Sequence, residues 1–66
     1  MNNRLKEIRK ELNLTQQELA DKANISRATI ISIENQESPV KSDTIANIVK
    51  ATGVPANRIF FDFDVV

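Results

Sequence analysis

Apolar residues recur at intervals of three and four along most of this chain, and polar or turn-forming residues break the rhythm at Asn13, Asn24, 35–41 and Gly53. That period predicts a series of short amphipathic helices. Leu5, Ile8 and Leu12 share one face of a helix over Asn3 to Leu12, with Asn2 or Asn3 placed to cap it and Asn13 to end it. Thr15 and Glu18 have the form of a capping box, which starts a second helix at Gln16, and Leu14 just ahead of it suits a hydrophobic staple. Leu19, Ala20 and Ala23 are its apolar side. Asn24, which tolerates the left-handed conformation, stops it. Ser26 then caps a third helix with Ile30 and Ile33 on one face and Arg27, Ala28, Ile31 and Ser32 elsewhere on its circumference.

The stretch NQESPVK reads as a loop. Ser42 and Asp43 begin a fourth helix in which Ile45, Ile48 and Val49 share a face and Gly53 supplies the stop. Pro55 suits the first turn of a short fifth helix ending at Ile59 or Phe60. After Phe60 the period changes to two: Phe61, Phe63 and Val65 alternate with Asp62 and Asp64, the pattern of a half-buried strand. A single strand needs a partner, in the same chain or another. The expected fold is all-α: a compact five-helix domain over residues 1–60 with a short β-like extension over 61–66.

The second and third helices carry the most information. Only a few residues separate them, Ala20 is small where they must cross closely, and Ile25 in the turn can fill the space between them. A bihelical unit of this kind presents its second helix outward, where it can enter a DNA groove. With Arg9 before LNLTQQELA, Gln16 opening the second helix, Ala20, Asn24, Ser26-Arg27 opening the third, Ile30 and Glu34 closing it, the chain resembles the Cro and phage-repressor type of helix-turn-helix regulators over roughly Leu5 to Phe60. It departs from that family at Asn24, where the family usually has Gly, at Ile31, where polar residues are tolerated, and at Ser32, where a longer polar or basic residue is common.

Composition narrows the chemistry. Sixty-six residues allow one domain with a small core. With neither Cys nor His there is no thiolate nucleophile, disulfide or imidazole ligand, so no cofactor or metal is expected. The chain has no apolar run of membrane-spanning length and no signal-peptide centre near its start, and is expected to be soluble and cytoplasmic. Nine basic residues balance nine acidic ones, with seven and six of these in residues 1–41. Bulk attraction to phosphate is therefore absent, and any DNA affinity must come from local donors, helix N-termini and dimerisation, with a modest salt dependence.

Arg27, in the first turn of the third helix, is the leading candidate for base contact, since Arg reads guanine well; the plainer reading is a phosphate contact or a solvated arginine. Ala28 can allow close approach or touch a thymine methyl, and Ser32 can donate to or accept from several bases. Ile31 either packs on the fourth helix or meets a thymine methyl. By resemblance, Gln16 spans a phosphate and the start of the third helix, while Asn35 and Lys41 make further backbone contacts; Gln17 and Thr29 point near the same backbone. The resemblance also implies that Arg9 and Glu34 form a partly buried structural ion pair. Asp62 and Asp64 share a strand face, but without a third ligand or a His they read as the wet side of an edge strand, and no catalytic role is expected.

Taken together these residues point to a non-enzymatic, sequence-specific binder of duplex DNA that regulates transcription, more often by repression. It would act as a homodimer through Phe61, Phe63 and Val65, on half-sites about 34 Å apart. The alternatives are an antitoxin using Phe60 to Val66 as its toxin-binding strip, a controller of restriction genes, and a protein-interaction module that keeps the fold.

Overall fold

The computed structural model describes residues 3–37 and 39–60. Five helices follow one another: α1 Leu5–Glu11, α2 Gln16–Ala23, α3 Arg27–Glu34, α4 Ser42–Thr52 and α5 Ala56–Ile59. The chain is all-α, and the described residues contain no strand, only an isolated antiparallel bridge between Asn3 and Phe60. The strand-like pattern of 61–66 lies outside the described residues. None of the described helices is long and apolar enough to cross a membrane.

Local chemistry sets the helix ends. α1 is shorter than its periodicity predicts, because the Asn3 side chain accepts from the backbone of Leu5 at 3.0 Å while Asn3 itself bridges to Phe60, holding it outside the helix. At the other end Asn13 has φ 58°, and the N–H groups of Asn13 and Leu14 donate to Lys10 and Arg9. These two bonds close the last turn around a left-handed residue. The same closure ends α2 at Asn24 (φ 58°), with Ile25 N–H donating to Ala20, and α3 at Gln36 (φ 60°), with Glu37 N–H donating to Ser32. No sequence signal marks Gln36 as a stop, since Gln carries no left-handed preference. Gly53 ends α4 at φ 71°. Pro55 stands at the N-cap of α5 rather than inside its first turn: its ψ of 149° is extended, so helical geometry begins at Ala56.

One face of every helix meets in a common core. Leu5, Leu19, Ile30, Ile48, Ile59 and Phe60 are wholly buried, each contributing about 1.5–3 kcal/mol by leaving water. α2 sits centrally, against α3 on one side and α4 on the other, while α1 packs on α3 and α5 on α4. Ala20 and Ala23 are buried, which lets helix backbones approach, and Ile25 in the turn packs half-buried against the same core. Burial of Phe60 removes it from any exposed toxin-binding strip: its ring is a core residue and cannot also cover a partner.

A polar network joins α1, α2 and α3 at one end of this core. Arg9 Nε donates to Glu34 Oε2 at 2.6 Å and Nη2 to Oε1 at 3.3 Å, a two-point pair whose side chains are only 10% and 4% exposed. Arg9 Nη1 also donates to the Leu14 carbonyl at 2.8 Å, and Gln16 Nε2 to Glu34 Oε1 at 3.2 Å. Among the described residues no buried side-chain polar atom lacks a partner. At the same C-terminal end of α3, Asn3 Nδ2 donates to the Ile33 carbonyl and to Gln36 Oε1, and Gln36 Nε2 donates back to the Asn3 carbonyl.

Removing one member of a buried pair leaves its partner's charge uncompensated, at about 3–5 kcal/mol. Glu34→Ala is therefore expected to lower the thermal midpoint by more than about 10 °C, read by circular dichroism. A midpoint within about 2 °C of the parent would show that the pair does not hold α1 and α3 together.

Candidate nucleic-acid interface

Both helix starts lie at the surface, their N-cap residues Thr15 and Ser26 being exposed. Thr15, extended at φ −75° and ψ 165°, accepts from Glu18 N–H, while Glu18 Oε1 accepts from Thr15 N–H at 2.8 Å, completing the capping box. Ser26 does the same work for α3: its hydroxyl accepts from Thr29 N–H at 3.1 Å. Side-chain caps consume one N–H each at α2 and α3, and the remaining first-turn amides keep the positive end of each helix dipole directed outward.

Arg27 and Ala28, the first two residues of α3, are both exposed. Arg27 lines a shallow depression with Arg9, Thr15, Gln16 and Gln17, so the structure brings Gln16, Gln17 and Arg27 onto one surface. The described ion pairs are Arg4–Glu7 and Arg9–Glu34, which leaves the Arg27 guanidinium unpaired among the described residues. Gln16 is half-buried and turns its amide to Glu34, whereas Gln17 is exposed with its amide on Asp21 Oδ1 at 2.9 Å.

On the other flank of α3, Ala28, Thr29 and Ser32 line a second groove whose far wall is Pro39, Val40, Lys41 and Thr44. Ala28 and Ser32 stand one turn apart on the same face. Lys41 is exposed at the N-cap of α4, with its ammonium free of carboxylates among the described residues. The Thr29 hydroxyl lies 2.8 Å from that of Ser26, an internal bond at the head of the helix. Asn35 caps the C-terminal end of α3, exposed and outside both grooves. Ile31 is half-buried. Phe61, Phe63 and Val65 lie outside the described residues.

Glu37 carries no functional signal in the sequence. Its carboxylate accepts from the Ser32 hydroxyl at 3.1 Å, which sets a negative charge beside the groove-facing side of α3. None is visible there because Glu37 reaches Ser32 only through the left-handed turn at Gln36.

Two helices joined by a tight turn, the first capped by Thr15 and the second offering Arg27 and Ala28 to solvent, define a helix-turn-helix domain. Comparison with known proteins agrees: the family described as Helix-turn-helix matches residues 5–59. The immunity repressor protein of Bacillus phage phi105 is 39% identical over 56 residues, which cover 85% of this chain and 39% of that protein. An uncharacterised HTH-type transcriptional regulator of Methanocaldococcus jannaschii is 42% identical over 60 residues, 91% of each chain. The chain thus spans about two fifths of the phage repressor's length and nearly all of the archaeal regulator's. It belongs to the helix-turn-helix family of DNA-binding transcription regulators, which is not an enzyme class.

The α2–α3 turn rests on Asn24 at positive φ, where an ordinary side chain costs about 1–2 kcal/mol. Asn24→Ala is expected to lower stability by about 1 kcal/mol in urea unfolding, while Asn24→Gly holds or raises it. Equal stability of the Ala and parent chains would remove backbone strain as the reason for Asn at this turn.

Proposed function

We propose that the chain binds a palindromic operator as a homodimer in the cytoplasm and represses transcription, with α3 in the major groove. The observation that carries the reading is the exposed Arg27 at the head of α3, without an ion-pair partner among the described residues and on one surface with Gln16 and Gln17. In this pose Arg27, Ala28 and Ser32 meet base edges. Gln16, Gln17, Thr29, Asn35 and Lys41 hold the sugar-phosphate backbone on either side, which fixes register without reading sequence. The name of the phage relative, an immunity repressor, supports repression as the output.

The charge balance supports dimerisation. With formal net charge zero, one copy gains little from phosphate neutralisation, so two modules sharing a site supply the affinity that a single module lacks. The alternating Phe61, Phe63 and Val65 are the candidate contact, residues 1–60 forming the DNA-binding domain and 61–66 the dimerising extension.

In vitro selection from a random duplex pool at low salt, run with the parent and Arg27→Ala in parallel, tests the reading. The expected result is a palindromic motif that relaxes at one base position per half-site in the variant, with about five- to a hundredfold loss of discrimination there. No enriched motif with the parent chain would instead favour a protein-interaction role. Light scattering of Phe63→Asp tests the dimer separately: a monomer mass is expected, and an unchanged dimer mass would exclude the Phe63 contact.

A further inference from the structure

Just past the end of α3 an acid is bonded to the groove-lining Ser32, where a DNA reader gains nothing from negative charge. Glu37 is tied to Ser32 twice: its N–H donates to the Ser32 carbonyl at 3.1 Å and its carboxylate accepts from the Ser32 hydroxyl at 3.1 Å. The first bond belongs to the turn that ends α3 and is set by Gln36 at φ 60°. The second is set by where that turn leaves the chain. Together they hold a carboxylate next to Ser32, which stands one helical turn beyond Ala28 and lines the groove opposite Lys41.

A serine hydroxyl has one proton to donate and two lone pairs to accept with. Here the proton is committed to Glu37, so what Ser32 presents outward is an acceptor. The ionised carboxylate is an acceptor as well, with no proton of its own. The ambiguity that makes a lone serine a poor reader of bases is thereby removed, and both groups ask for the same thing from a partner: an N–H.

In the major groove each base pair offers one such group, the exocyclic amine of adenine (N6) or of cytosine (N4), whereas guanine and thymine present O6, N7 and O4 acceptors. We infer that Ser32 and Glu37 form an acceptor-only reading pair that selects adenine or cytosine on the contacted strand and rejects guanine and thymine. Rejection is the stronger half: two acceptors facing a carbonyl oxygen repel it and leave desolvated lone pairs without donors. The same carboxylate repels phosphate, which keeps non-specific binding weak and confines the acid's benefit to sites where an amine meets it. Lys41 across the groove can hold the phosphate that flanks such a base, so the two charges act on different parts of one nucleotide step.

This inference rests on the reading of α3 as the groove-entering helix, and the experiment separates the two. The selection is run with the parent, Glu37→Gln and Ser32→Ala, the motifs compared position by position, and each protein checked for an unchanged thermal midpoint; Glu37 is exposed and outside the core. The parent is expected to enrich adenine or cytosine about tenfold over guanine and thymine at one half-site position distinct from the one that responds to Arg27→Ala. Glu37→Gln, whose amide can donate, is expected to bring that preference to within about twofold while the other positions keep theirs, and Ser32→Ala to weaken it at the same position. A Glu37→Gln motif identical to the parent's, or binding tightened equally on all four bases, would overturn the reading pair and leave α3 as the groove helix. A parent chain that enriches no motif overturns both.

Discussion

The surface on which α3 offers Arg27 and Ala28 depends on one buried charge pair. α3 is eight residues long, too short to hold a helical conformation in water alone, and its orientation comes from what grips its C-terminal end and its buried face. At one end Glu34 is clamped by Arg9 from α1 and by Gln16 from the first turn of α2, with the third arm of Arg9 on the carbonyl that enters α2. The bond therefore fixes three helices relative to one another at a single point. At the same end the chain turns through Gln36, whose side chain interlocks with Asn3 and thereby with the start of α1. Ile30 and Ile33 complete the grip from beneath, burying the opposite face of the helix. What remains outside is the stripe that begins with Arg27 and Ala28.

That arrangement accounts for how a chain of zero net charge can belong to a family that binds DNA. Position matters more than the sum: Arg9 and Glu34 cancel inside, Arg4 and Glu7 cancel on the surface, and of the remaining charges, none in an ion pair among the described residues, Arg27 and Lys41 are the bases that lie on the two flanks of α3. The balance that looks unfavourable as a sum is compatible with locally positive contacts.

Most of the fold was legible because it is written in local signals. Capping residues, left-handed Asn and Gly53, and a three-to-four period each act over a few positions, and they set all five helices to within a residue or two. The errors share a cause. α1 begins late because Asn3 pairs with Phe60, and Phe60 is core and not surface; both facts come from the approach of the two ends of the described chain, which no short window of sequence contains. Glu37 was invisible for the same reason. A charged residue in a polar loop carries no sign of which helix face the loop will pass.

The amino-acid sequence by itself determined where helices start and stop and which side of each is apolar, since those follow from backbone donors, side-chain caps and periodicity within a turn or two. Tertiary structure alone decided that Arg27 shares a surface with Gln16 and Gln17, that Gln16 spends its amide on Glu34, and that an acid reaches across to Ser32. Those pairings join residues from different elements or across a left-handed turn, and their distances are set by how the helices pack.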